Sequence, residues 1–210
     1  MRFVRRHILT VAAFVVLVYL FIPIAVVGAL SFNDPPSKYN TKWYGFSLDA
    51  WTNMCGIPGV CESFIESIKI GLISTFVATV LGTMVAFALV RYRFRGRKTT
   101  NLLIFLPMAT PEVVMGSSLL ALFLNMTFPL GSTTVIIAHI MFTISFVVVA
   151  VKARLQGLDP SLEEASRDLY ADSSATFRHV TFPLVAPGIA GAALLGFALS
   201  FDDFIISFFN

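Results

Sequence analysis

The chain has 210 residues, of which 57% are hydrophobic and 13% are charged, and its mean hydropathy is +0.82. A soluble domain carries about 25% charged residues, and a globular core of this size could not bury so much apolar side chain. The composition therefore excludes a soluble enzyme, a disordered segment and a nucleic-acid-binding module. It predicts an all-α membrane protein, with residues 1–210 forming a single transmembrane domain.

Long uncharged runs locate the predicted spans, since a membrane helix needs about 20 apolar residues. We predict five spans, at about 8–31, 66–90, 100–126, 133–151 and 184–209. The uncharged run after Glu112 is too long for one span, and residues 128–132 supply the turn that divides it. The apolar runs are continuous and do not alternate with polar residues, which argues against β-strands.

The basic residues are distributed asymmetrically along the chain. All but three of the 15 Lys and Arg residues lie before span one, between spans two and three, or between spans four and five. The exceptions are Lys38, Lys42 and Lys69, the last at a membrane edge where it can pair with Glu66. The positive-inside rule then places the N-terminus in the cytoplasm and, with five spans, the C-terminus outside. The first apolar run exceeds the length typical of a signal peptide, so we expect an uncleaved span.

Residues 33–63 form the largest predicted external segment. Trp43 and Trp51 suit an interfacial anchor better than a binding site. Cys55 and Cys61 flank a flexible turn on the oxidising side of the membrane, where a disulfide and two free thiols both remain open. No metal site is expected, because a closed zinc site needs four ligands.

The predicted cytoplasmic loop 152–183 is too polar to lie in the bilayer. Asp159 is predicted to cap a helix that starts at Pro160 and reaches Leu169, and Asp172 to cap a second short helix before Pro183. We therefore expect two short amphipathic helices that dock on a partner protein. A loop resting on the lipid surface is the alternative.

The loop also contains a spaced pattern: Glu164-Ala165-Ser166, three residues, Tyr170, nine residues, then the tetrapeptide at 180–183. This pattern resembles the EAA loop of ABC-importer permeases, which reads Glu-Ala-Ala, three residues, Gly, nine residues, Ile-x-Leu-Pro. In that family the loop is the coupling helix that fits a cleft in the cytoplasmic ATPase subunit. The resemblance implies that the coupling residues are Ser161, Glu163, Glu164, Ala165, Ser166, Asp168, Leu169, Tyr170, Arg178 and Pro183.

Tyr170 departs from the family pattern, because it occupies the position of the family's glycine. Glycine tolerates the positive φ of the turn between the two helices. A tyrosine there either adopts the same conformation at a cost of about 1 kcal/mol or more, or the turn has another shape.

Further segments at 31–33, 91–96, 111–114 and 201–204 are similar to one branch of that family, the permeases of spermidine/putrescine importers. The likeness covers essentially the whole chain. It implies a polytopic helix bundle of the MetI-like ABC permease type, with a sixth span after the fifth, in the cytoplasmic (inner) membrane. It also implies cytoplasmic ATPase subunits that bind ATP and Mg, a distinct second permease subunit and an extracytoplasmic substrate-binding protein. The chain itself is expected to bind no cofactor and no nucleic acid.

Three acids, Glu112, Asp202 and Asp203, lie within predicted spans, where each costs about 2.5–3.5 kcal/mol on insertion scales. With only Lys69 as a basic residue in a span, their counter-charge must come from another subunit, from protonation or from a cationic substrate. The last option fits polyamines, so we predict that these acids line a substrate pathway. Interfacial water is the simpler alternative.

Small residues recur every four positions in span five, and this stripe is predicted to allow close helix packing: Gly188, Ala192, Gly196 and Ser200. Continued as a helix, span five would place Asp203 near the stripe and Asp202 away from it. In span three, Pro107 and Pro111 predict a kink beside Glu112, either at a transport site or simply packed. His139 is expected to be a hydrogen-bonded packing residue more than a proton relay.

Other classes of protein fit less well. The chain lacks a Gly-rich phosphate loop, His-Glu-x-x-His and Gly-x-Ser-x-Gly, so we expect neither ATP hydrolysis nor intramembrane proteolysis by this subunit. Permeases for iron, thiamine, phosphonates or sulfate share the scaffold, but three embedded acids favour a cation. A channel or scaffold would not require the two-helix loop.

Overall fold

The computed structural model describes residues 2–37 and 39–210, and side chains from His7 onwards apart from residue 38. The predictions that involve Lys38 and the N-terminal arginine side chains therefore lie outside the described residues. Within that part of the chain the backbone is helical apart from loops and one isolated β-bridge between Asn33 and Phe46. In chain order the elements are α1 (Arg2–Leu30), α2 (Asp49–Thr52), α3 (Val60–Arg91), α4 (Arg97–Ala109), α5 (Glu112–Asn125), α6 (Ser132–Gln156), α7 (Ser161–Asp168), α8 (Ser173–Thr176), a π-helical turn (Phe177–Thr181), α9 (Phe182–Asp202) and α10 (Ile205–Phe209).

The first compact unit ends at Phe64 and contains α1 and the loop that follows it. The buried side chain of Asn33 organises this loop: Nδ2 donates to Asn40 Oδ1 and to the Lys42 carbonyl at 2.6 Å, and Oδ1 accepts from Tyr44 N–H at 2.7 Å. The ring of Trp51 stacks on Phe32, with 5.6 Å between centroids. The loop thus has its own small polar and aromatic core.

The second unit, from Ile65 onwards, packs α6 against α9 and α3. Its apolar cluster consists of Ala86, Leu89, Val147, Val148, Val151, Leu155, Val185 and Ala192. The predicted stripe on α9 lies at this contact: a Cβ on Gly196 would stand 2.8 Å from Thr143 Cγ2. The small residues therefore allow α9 to pack closely against α6, as the sequence predicted.

Helices α3 and α6 run in the same direction. At one end Ser132 Oγ donates to Glu66 Oε1 at 2.9 Å, and at the other Arg91 pairs with Glu163, just beyond α6. The segment between them must therefore return from one end of the bundle to the other through α4 and α5. Among the described residues four helices are long and apolar enough to cross a membrane, or five if α4 and α5 together count as one broken span.

The predicted third span over 100–126 is broken into two helices, α4 and α5, which are bent by 109°. Thr110 adopts an extended conformation with ψ of 134°, as expected for a residue before proline. Pro111 then precedes α5, which begins at Glu112. The predicted kink is present, and it is larger than an ordinary proline kink.

The last span differs from the prediction at both ends. Asp172 caps the helix as expected, its Oδ1 accepting from Ala175 N–H at 2.7 Å, but this helix is not separate. It continues through the π-helical turn into α9, with the wider turn lying just before Pro183, which has no N–H to donate. At the other end α9 stops at Asp202, because Asp203 is extended with ψ of 105°, and α10 follows. The prediction of one helix to residue 209 is therefore wrong.

Candidate functional site

Helix α7 begins one residue later than predicted, at Ser161, with Pro160 in the capping position. Asp159 still assists the start, since its Oδ1 accepts from Ser161 N–H at 3.0 Å. This hydrogen bond to the backbone lowers the pKa of the Asp159 carboxyl below its usual value. The two acids in the first turn, Glu163 and Glu164, suit the positive end of the helix dipole.

Tyr170 ends α7 in the left-handed conformation, with φ of 62°. Ala171 N–H donates to the Ser166 carbonyl at 3.1 Å, and Tyr170 N–H donates to the Arg167 carbonyl at 2.9 Å. These two bonds form a Schellman motif, in which glycine is the usual residue at this position. Of the two alternatives left open, the structure therefore has the conformation expected for glycine, with a tyrosine side chain 99% exposed.

Two of the predicted coupling residues turn towards the transmembrane helices. Glu163 Oε1 pairs with Arg91 at the end of α3 and accepts from Thr181 Oγ1 at 2.6 Å. Ser166 Oγ lies 2.7 Å from the hydroxyl of Thr176. Both threonines are buried, and these contacts fix α7 to α3, to α8 and to the π-helical turn.

The remaining coupling residues are exposed to solvent, and we call them the coupling surface: Ser161, Glu164, Ala165, Asp168, Leu169, Tyr170, Arg178 and Pro183. Leu169 is 82% exposed and Tyr170 is almost completely so. An exposed leucine and tyrosine beside charged residues are typical of a surface that another protein covers.

A cavity of about 750 Å³ lies between the end of α3 and the loop. Its apolar lining includes Met84, Phe87 and Phe177, and Arg91 and Glu163 lie among its polar residues. Sequence reasoning missed Arg91 and Thr181 as partners of the loop. The only signal was that Arg91 and Glu163 carry opposite charges, and nothing in their spacing brings them together.

The three acids that were predicted to lie within spans are found at the two helix breaks. Glu112 is the first residue of α5 and is exposed, while Asp202 is the last residue of α9 and is also exposed. Asp203 is half-buried: its Oδ1 accepts from Ile206 N–H at 2.8 Å, and its Oδ2 is buried without a hydrogen-bond partner. The helical projection used for Asp203 does not apply, because the helix ends before it.

The elements that carry these breaks pack together. Helix α10 lies on α5, where Gly116 faces the ring of Phe209, 3.1 Å from where a Cβ would stand. Asn210 Nδ2 donates to the Gly116 carbonyl at 3.4 Å. In the described part of the chain, no Lys or Arg forms an ion pair with the three acids, and no group of three metal-ligating side chains occurs.

A bundle of helices long enough to cross a membrane, with two helix breaks and the short polar helix α7 at one end, is the architecture expected of a solute permease. The chain belongs to the family of binding-protein-dependent transport system inner membrane components, whose model matches residues 78–209. It is similar to the spermidine/putrescine transport system permease protein PotC of Haemophilus influenzae, with 36% identity over 93% of this chain and 76% of the relative. PotC of Escherichia coli K12 is 36% identical over 91% and 72% of the two chains. The putrescine transport system permease protein PotI of the same strain is 34% identical over 91% and 70%.

Proposed function

We propose that the chain carries polyamines, spermidine or putrescine, across the cytoplasmic membrane by alternating access as one permease subunit of an ATP-driven importer. The observation that carries this proposal is the similarity over more than nine-tenths of the chain to permeases whose names specify these substrates. The unpaired acids at the helix breaks support it, because spaced ammonium groups supply the missing positive charge. Among the alternative substrates, uncharged and anionic solutes lack this second support, and other small cations lack the first.

Asp203 is the strongest candidate for contact with the substrate. Its Oδ2 has no partner and lies at a break, where irregular backbone in a membrane protein is tolerated beside a cavity or protein partner. Glu112 lies at the other break, and Asp202 directly precedes Asp203. We propose that these carboxylates bind the ammonium groups as they pass.

We further propose that the coupling surface binds a separate ATPase subunit, which holds ATP and Mg. The exposed side chains of Glu164, Leu169 and Tyr170 supply charged and apolar contacts there, whereas Glu163 transmits movement inward. A distinct second permease subunit and an external binding protein complete the importer. The asymmetry of Lys and Arg supports a cytoplasmic N-terminus and, with it, a position of the loop on the ATPase side.

The test is reconstitution with the ATPase, the second permease and the binding protein of the same cell, followed by measurement of ATP hydrolysis. We expect stimulation by spermidine-loaded binding protein, and uptake of labelled spermidine but not of sulfate. Glu164→Lys should abolish the stimulation. Glu62→Lys makes the same charge change in the first turn of α3, at the opposite end of that helix from the loop, and should leave the stimulation intact. A stable complex that is not stimulated by either polyamine would refute the substrate assignment, and the lack of any complex would favour a channel or scaffold.

A further inference from the structure

A chain of polar side chains connects four helices of the second unit, and three of its members are buried: Ser74, His139 and Ser200. The fourth member, Ser207, is exposed. His139 on α6 is 1% exposed, with Nδ1 lying 2.8 Å from Ser200 Oγ on α9 and Nε2 lying 2.9 Å from Ser207 Oγ on α10. Ser200 Oγ lies 3.0 Å from Ser74 Oγ on α3. The imidazole therefore contacts the chain on both sides of the break at Asp203.

Both ends of this chain of hydrogen bonds lie on backbone carbonyls. Ser207 Oγ donates to the Asp203 carbonyl at 3.0 Å, and Ser74 Oγ donates to the Ile70 carbonyl at 2.6 Å. One end of the chain of bonds is therefore the backbone of Asp203 itself.

We propose that His139 is a positioning residue for the Asp203 carboxylate. By binding Ser200 before the break and Ser207 after it, the imidazole fixes the angle at which Asp203 leaves α9. Helix α10 has five residues, too few to be stable alone. Burial of Ile206 and the hydrogen bond of Thr134 Oγ1 to the Asn210 carbonyl, at 2.7 Å, hold α10 and its C-terminal end. The directional bond from His139 acts on the segment of α10 that follows Asp203.

The significance of this position for transport rests on the proposed function, but the positioning itself can be measured without substrate. Phe204 is exposed and follows Asp203 directly, so Phe204→Cys places a thiol at the break and leaves the polar chain intact. The native Cys55 and Cys61 form a disulfide and do not compete for a thiol reagent. The rate of modification at position 204 of this subunit is followed in membrane vesicles that contain the whole importer.

Ser207→Ala and His139→Leu should each change the modification rate about fivefold, the factor in an equilibrium that one lost hydrogen bond produces. His139→Gln, which retains one bond, should give a smaller change. The control is Thr143→Val, one turn further along α6, which removes a buried hydroxyl that has no hydrogen-bond partner. Rates that stay within twofold of the parent for both Ser207→Ala and His139→Leu would overturn the proposal.

A second measurement connects positioning to transport. With Asp203 intact, Ser207→Ala should raise the KM for spermidine about fivefold with little change in the maximal rate, since substrate contact is weakened and the ATPase is not. If Asp203→Asn leaves the KM unchanged, the pathway role of this carboxylate is wrong, and the thiol rates still decide whether His139 positions it.

Discussion

The ion pair between Arg91 and Glu163 should decide whether movement of the coupling helix reaches the transmembrane bundle. The Glu163 side chain is 17% exposed and that of Arg91 is 35% exposed, so the pair is partly shielded from water. Glu163→Ala leaves the hydroxyl of Thr181, a residue only 4% exposed, without its acceptor. An unsatisfied buried hydroxyl costs about 1–3 kcal/mol and loss of the partly exposed pair up to about 1 kcal/mol. We expect the docking of α7 on α3 to weaken by about 2–3 kcal/mol.

Glu163→Gln separates these two contributions. The glutamine amide oxygen can still accept from Thr181, so only the charge is lost, and we expect about 0.5–1 kcal/mol. The reconstituted importer with either substitution should still bind the ATPase, because the coupling surface is unchanged. It should hydrolyse more ATP for each substrate molecule transported, and the alanine variant should do so to the greater extent.

The assay is the ratio of ATP hydrolysed to spermidine taken up, together with the thermal unfolding midpoint of the complex. A double-mutant cycle of Glu163→Gln with Arg91→Gln should give a coupling energy of about 1 kcal/mol. The control cycle uses Glu66 and Lys69, a 3.4 Å pair with side chains 44% and 60% exposed, for which no coupling energy should be measurable. An unchanged transport ratio in Glu163→Ala, with normal protein levels, would refute the argument.

Three further experiments test local features. Tyr170→Gly should stabilise the protein by about 1 kcal/mol, because it removes left-handed strain from a side chain that packs on nothing, whereas Leu169→Gly next to it should destabilise; thermal unfolding distinguishes the two. The double substitution Cys55→Ser, Cys61→Ser should lower the free energy of unfolding of the first unit by about 2 kcal/mol, because the disulfide closes a short loop with a sequence separation of 6. Denaturant unfolding with and without reductant measures this difference. Gly196→Val should cost about 1–3 kcal/mol or prevent assembly, because its Cβ would lie 2.8 Å from Thr143, whereas Gly191→Val on the same helix meets no atom within 4 Å. Equal yields of the last two in detergent would contradict this packing.

The sequence was sufficient to predict the parts of the fold that local chemistry determines. Long uncharged runs located α1, α3 and α6, and Asp172 and Asp159 indicated where the loop helices begin. The packing of α9 followed from its stripe of small residues. Each of these features depends on residues close together in the chain, which is why composition and spacing revealed them.

The features that sequence reasoning missed depend on contacts between distant residues. Arg91 and Glu163 are 72 positions apart, and the partners of His139 are 61 and 68 positions away. The end of α9 at Asp202 was missed for a related reason. The residues that follow are as apolar as those of a membrane helix, so hydropathy gives no sign of a break. A new helix begins there because the Asp203 carboxylate accepts a hydrogen bond from Ile206 N–H. In both cases the contact that determines the structure is made by a polar side chain, and a hydropathy scale registers such a side chain only as unfavourable in a membrane helix. We propose that the unpartnered oxygen of Asp203 and the paired oxygen of Glu163 serve the same transport cycle: the first binds a cation, and the second transmits movement of the coupling helix to α3.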